Sequence, residues 1–241
     1  MKTHPFFEFS QQQIPLYQKV TKSTIKSQEQ GVNISGESAL GDTYLRSSAL
    51  RSAQQGNYTE ALVLLSQLIH RHPQNAIDYN NRGLIYFQSG ETQKALCDYN
   101  TALQLNPNLA SAYNNRANYY AVYGDFQSAI ADYDRALDLN PSYVRAWINR
   151  GITLRDLGRY EEAIENLEMA LLFGQLEGHI LAERGRTYHL WGEWNCAIAD
   201  YRRALTRLSS LKITKSDPSW RLRLQVENWL SELLCPQQTN L

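Results

Sequence analysis

One period governs this chain. AIDYNNRGLIYFQSGETQKALCDYNTALQLNPN starts at Ala76, ASAYNNRANYYAVYGDFQSAIADYDRALDLNPS at Ala110 and VRAWINRGITLRDLGRYEEAIENLEMALLFGQL at Val144. The starts lie 34 residues apart with no insertion, and the same ruler gives 42–75 upstream and 178–211 downstream. Five repeats therefore fill residues 42–211 of a 241-residue chain. A period of this length means that each repeat buries its apolar face against its neighbours rather than within itself. That constraint excludes most folds at once.

Within a repeat, the apolar residues recur at helical spacing. Tyr113, Ala117 and Tyr120 share one face, at intervals of four and three. Gly124 ends that helix and Asp125 stands where an N-cap is wanted. Ala129, Tyr133 and Ala136 form the face of a second helix, which Pro141 prevents from continuing. Each repeat thus reads as two short amphipathic helices around a turn. Small residues let the helices approach, and large aromatics fill the remaining space.

These residues resemble the tetratricopeptide repeat family. The third repeat supplies Tyr113, Ala117, Tyr120, Gly124, Phe126, Ala129, Tyr133, Ala136 and Pro141 at its signature positions. The first is weaker, with Ser52 and Leu68 among its departures; Gln175 and Ser209 stand where the fourth and fifth want proline. The resemblance implies an all-α fold, a right-handed α-solenoid of helix–turn–helix repeats with a C-terminal capping helix. Ten of the 15 tyrosines then fall on family packing positions.

The flanks read differently. Residues 1–41 are rich in Gln, Ser, Thr and Lys and are expected to be mostly disordered, with part of 33–41 extending the first helix backwards. Phe6, Phe7 and Phe9 form either a short docking motif or a segment that folds back on the repeats. Residues 212–241 read as a capping helix and tail, with Asp217 as N-cap and Pro218 as first helical residue. Leu222, Val226, Trp229, Leu230 and Leu233 make its apolar stripe, the alternative being a partner-binding helix that exposes Trp229.

Charge and composition narrow the function. Lys plus Arg is 24 and Asp plus Glu is 24, which argues against nucleic-acid binding by bulk charge. No apolar run approaches the roughly 20 residues of a membrane span, and the start MKTHPFFEFSQQQ lacks a signal-peptide core. Cys97, Cys196 and Cys235 form neither a disulfide framework nor a paired metal motif. A cytoplasmic location is the expectation, at most peripheral to a membrane through a partner. There is no nucleophile–base arrangement, phosphate-cradling loop or metal cluster, so no enzyme activity and no cofactor is expected. His70 and His72 read as polar helix-end residues.

A stack of helix pairs places its binding surface on the concave side, and in the family that surface belongs to the first helix of each pair. There this chain carries Asn81, Asn115 and Asn149 in register, with Asn80, Asn114 and Asn118 beside them. Asparagine is a mediocre helix residue, so its recurrence asks for a reason. A side-chain amide donates and accepts, and so grips a peptide backbone without reading its sequence. The row resembles the asparagine ladder in the repeat domains of O-linked sugar transferases; the bland reading is a polar residue copied by duplication. Three such bonds give roughly 2–4 kcal/mol, about millimolar binding.

Selectivity therefore falls to residues that differ between repeats. These are Arg46, Ile77, Leu84 and Phe87, then Arg145, Arg155, His179, Glu183, Arg186 and His189. The arginines suggest an acidic or C-terminal carboxylate group on the ligand. The family's clamp for chaperone tails is matched only in part, by Asn80, Asn115, Arg145 and Asn149, so that ligand is not expected. A second arginine set, Arg82, Arg116, Arg150 and Arg184, reads as structural. Asp98, Asp132, Asn166 and Asp200 follow 16 residues later, and the first repeat lacks both partners. The expected function is a non-enzymatic protein–protein interaction module, an adaptor or scaffold for a partner's peptide segment or helix. An assembly factor for a photosystem- or secretion-type membrane complex, or a regulatory subunit of an enzyme, are the alternatives.

Overall fold

A computed structural model describes residues 34–209 and 218–234. Among them there are helices and no strands: α1 (Ile34–Gln54), α2 (Tyr58–Arg71), α3 (Ala76–Gln88), α4 (Thr92–Leu105), α5 (Ala110–Val122), α6 (Phe126–Leu139), α7 (Val144–Asp156), α8 (Tyr160–Leu171), α9 (Glu177–Trp191), α10 (Trp194–Ser209) and α11 (Pro218–Leu234). The protein is all-α, of the helix–turn–helix solenoid class. The second helices start at Tyr58, Thr92, Phe126, Tyr160 and Trp194, a strict 34-residue step. Gly56, Gly90, Gly124, Gly158 and Gly192 precede them two residues earlier, with φ between 77° and 92°. That left-handed backbone costs glycine nothing and other residues about 1–2 kcal/mol, which is why the turn recurs there.

Helix α1 begins at Ile34, so residues 34–41 are its first two turns. The expectations for residues 1–33, including Phe6, Phe7 and Phe9, and for Asp217 and the tail after Leu234 lie outside the described residues. The chain divides into two compact units, Met1–Val122 and Tyr123–Leu241.

In the N-terminal unit, Ala49, Ala53, Ala61, Leu65, Leu68 and Ile85 form one buried cluster across α1, α2 and α3. Phe87, Ala95, Tyr99 and Tyr119 form another across α3, α4 and α5. Close approach is enforced at Gly83, where an added Cβ would lie 2.8 Å from Tyr99 Cε1. Leu84 and Phe87, expected in the groove, are instead buried core residues. Their side chains fall on the α3 face that packs on its neighbours, and burying each contributes about 1.5–3 kcal/mol.

In the C-terminal unit the same contact recurs, with Gly185 against the ring of Tyr201 at 2.7 Å. Helix α11 covers the end of this unit. Leu222 and Val226 are buried against Leu181, Ala182, Tyr201, Ala204 and Leu208, with Trp229, Leu230 and Leu233 packed around them. Between α8 and α9, where Gln175 replaces the repeat's proline, the chain turns through Gly174 and through Leu176 at φ 55°.

The arginine pairs are present, and they do more than the spacing suggested. Arg82 holds Asp98 with two bonds, Nε to Oδ2 at 2.7 Å and Nη2 to Oδ1 at 2.8 Å. Arg184 holds Asp200 in the same way, at 2.6 and 2.9 Å. Arg150 donates to Asn166 at 3.0 Å. Each also reaches back 16 residues into the preceding repeat: Arg82 to Ser66 at 3.2 Å, Arg116 to Asn100 at 2.8 Å, Arg150 to Asp134 at 2.7 Å and Arg184 to Glu168 at 3.2 Å. The guanidinium fork thus pins successive repeats together as well as closing its own helix pair. The hydrogen bonds they donate to Asp98 and Asp200 hold Arg82 and Arg184 above the ordinary arginine range.

Candidate functional site

The residues expected to line a binding face sit on the first helices of the repeats, and each unit arranges its own set. In the N-terminal unit, α3 supplies Asn80 and Asn81, and α5 supplies Asn114, Asn115 and Asn118. All five are buried. Asn115 Nδ2 donates to Asn80 Oδ1 at 3.0 Å, and Asn114 Nδ2 donates to Asn115 Oδ1 at 3.3 Å. The amides therefore form a connected cluster between two first helices rather than a row of separate groups. One member is left over: Asn81 Nδ2 is buried with no hydrogen-bond acceptor. A buried donor in that state costs about 1–3 kcal/mol.

Arg46, expected to face a ligand, is committed elsewhere. Its Nε and Nη2 grip Asp78 at 2.6 and 2.8 Å, joining α1 to α3. Asp78 was not foreseen, although Arg and Asp at the same face of adjacent first helices was a readable signal. Ile77, beside it, is exposed. His72 closes the other side, its Nε2 2.5 Å from Asp42 Oδ2, with Arg71 at 3.1 Å from Oδ1. Burial alone would raise the Asp42 carboxyl, but hydrogen bonds from His72 and Arg71 outweigh it and hold the carboxyl below its ordinary value.

In the C-terminal unit the face is charged. Asn149 is fully buried on α7. Arg155 is buried and donates to Glu183 Oε2 at 2.7 Å and to Asp156 at 3.2 Å. Burial opposes its charge, but Glu183 and Asp156 more than compensate, and its pKa lies above the ordinary range. His179 Nε2 lies 4.0 Å from Glu183 Oε1. Burial, aided by the nearby Arg145, pushes the His179 imidazole below its ordinary range against the pull of Glu183, so it is neutral at physiological pH.

Arg186 and His189 are tied to the capping helix. Arg186 stands over the Trp229 ring at 5.1 Å, and its Nη1 is 3.3 Å from His189 Nδ1. His189 Nδ1 is in turn 3.2 Å from the Tyr201 hydroxyl. Burial and then Arg186 push the His189 imidazole down. Arg145 is the exception on this face. Burial holds its guanidinium below the ordinary arginine range, with Tyr143 pulling weakly the other way. No carboxylate among the described residues pairs with it. A desolvated cation without a counter-ion carries a cost that a nearby anion would relieve.

Among the described residues no group of three or more His, Cys, Asp or Glu could hold a metal. No helix among them is long and apolar enough to cross a membrane. Cys97 and Cys196 are free and exposed.

Comparison with known proteins places the fold. Family models described as tetratricopeptide repeat match residues 42–75 and 114–177, and one described as TPR repeat matches 83–122. Among solved structures, a thermophilic TPR protein of Thermus thermophilus, TTC0263, is similar, with a TM-score of 0.67 and 20% identity over 78% of this chain and 98% of its own. A tetratricopeptide repeat protein of Parabacteroides merdae gives 0.62 and 26% over 82% of this chain and 76% of its own. MamA gives 0.57 and 20% over 67% and 95%. No curated protein sequence matches the chain. Helical repeats of this type serve in general as protein-interaction modules.

Proposed function

Because this chain belongs to the tetratricopeptide repeat proteins, we propose that it is a non-enzymatic adaptor that holds a peptide segment of a partner protein through the polar faces of its first helices. The observation that carries this reading is the pair of unmet groups on those faces. Asn81 Nδ2 has no acceptor in the N-terminal unit, and Arg145, desolvated, has no carboxylate partner among the described residues in the C-terminal unit. A peptide carbonyl meets the first need and an acidic side chain or C-terminal carboxylate meets the second. Neither group is explained by packing alone.

The geometry also selects the variants. Arg155 and Arg186 are poor probes, since one is buried on Glu183 and the other is packed on Trp229. Arg145→Glu and Asn81→Ala are better, because neither breaks an ion pair among the described residues. Titration of the partner recovered with the wild-type chain should show roughly tenfold weaker binding with Arg145→Glu, the equivalent of about 1.4 kcal/mol. Asn81→Ala should weaken it severalfold. Unchanged affinity for both, with helicity retained by circular dichroism, removes the proposal.

A further inference from the structure

A second surface lies away from these polar faces, at the turns between the two helices of each repeat. The residue just before the turn glycine is Gln55, Ser89, Tyr123, Leu157 and Trp191 in successive repeats. The series runs from polar to apolar along one register. In the C-terminal unit the change is matched by solvent exposure, with Leu157 37%, Leu190 47%, Trp191 39% and Trp194 63% exposed. The ring of Tyr160 stacks on Trp191 at 6.4 Å, so the α7–α8 turn and the α9–α10 turn share one continuous apolar edge. Scattered exposed apolar residues are ordinary; two joined turns carrying two exposed tryptophans mark an interaction surface.

The charges around this edge decide what it accepts. Glu161 and Glu193 are exposed next to these aromatic and aliphatic side chains in the chain. The adjacent cation, Arg159, is already held by Glu162 at 2.6 Å. No lysine occurs between Lys94 and Lys212. Exposed indole faces and a carboxylate rim both favour a cation. The same rim repels anionic lipid and repels the same edge of a second copy. The stacked rings of Tyr160 and Trp191 hold the two turns close enough for one short helix to touch both.

We propose that this edge docks an amphipathic helix of a partner protein whose apolar stripe is flanked by lysine or arginine. The site is distinct from the polar first-helix faces and does not depend on them.

The test uses the full chain and a fluorescein-labelled 18-residue peptide of leucine and lysine with one apolar stripe, read by anisotropy. A leucine–glutamate peptide with the same stripe is the control. The leucine–lysine peptide should bind one-to-one and saturably, and the leucine–glutamate peptide should not. The double variant Trp191→Ser/Trp194→Ser should weaken binding at least tenfold. Glu161→Lys/Glu193→Lys should weaken it severalfold, and Arg145→Glu should leave it unchanged. Melting curves matching the wild type show that these variants are folded. Equal binding of both peptides, no binding of either, or wild-type affinity in the double tryptophan variant overturns the proposal. So does sedimentation with phosphatidylcholine or phosphatidylglycerol vesicles, or a dimer abolished by the tryptophan changes, since each assigns the edge to another occupant.

Discussion

The two units build the same helix pairs and finish their first-helix faces with a different balance of amides and ions. In the N-terminal unit buried amides dominate, Asn115 donating to Asn80 and Asn114 to Asn115, beside one ion pair of Arg46 with the buried Asp78. In the C-terminal unit Asn149 is the one buried amide named on this face and ions dominate, Arg155 being tolerable only because Glu183 sits 2.7 Å away. Amides can be left one bond short at modest cost, whereas a buried ion without its partner is expensive. The leftovers differ accordingly. One unit keeps a spare donor at Asn81, the other a spare cation at Arg145.

This contrast can be broken by substitution, and the largest effect belongs to the ionic face. Glu183→Ala leaves Arg155 buried without its main partner and should cost about 3–5 kcal/mol, read as a lower urea midpoint. Glu183→Ala combined with Arg155→Met should recover most of that loss. The amide face should be softer. Asn115→Ala removes the donor to Asn80 and should cost about 1–3 kcal/mol. If both substitutions cost the same, the distinction between the faces fails.

Acid sharpens the comparison further. Burial pushes the imidazoles of His179 and His189 down, so the unfolded chain binds their protons more readily than the folded one. Stability is therefore full above the ordinary histidine value near 6.5 and declines as the pH falls below it. Melting followed from pH 7.5 to pH 5 should show this loss, and His179→Phe should flatten the decline. Asp42 is depressed instead by His72 and Arg71, so its contribution is lost only below its ordinary value of 3.8. The smallest effect is expected at Arg145. Replacing an unpaired, desolvated guanidinium by methionine should not lower the melting temperature, while it should weaken partner binding.

Most of the architecture was legible because it repeats. Position 15 of each repeat is glycine, its φ is positive, and the second helix follows two residues later in all five cases. The Arg–Asp pairing was legible from covariation between repeats, as with Arg82 and Asp98. Its backward arm was not, because the acceptors Ser66, Asn100, Asp134 and Glu168 share only the ability to accept a hydrogen bond. The candidate faces were legible as residue types but not as contacts. Helical spacing placed the asparagines on one side of their helices. It could not show that Asn115 turns to Asn80, or that Arg46 is spent on Asp78, because those choices depend on how neighbouring helices approach.

The proposed adaptor role rests on the two spare groups, and a peptide selection tests it directly. A random 12-residue library with free C-termini would be selected on the full chain and, in parallel, on Arg145→Glu. The account predicts that wild-type selection enriches an acidic residue or a terminal carboxylate at a fixed place, and that Arg145→Glu loses this preference. Enrichment with no acidic preference, or one that persists unchanged in Arg145→Glu, would contradict it.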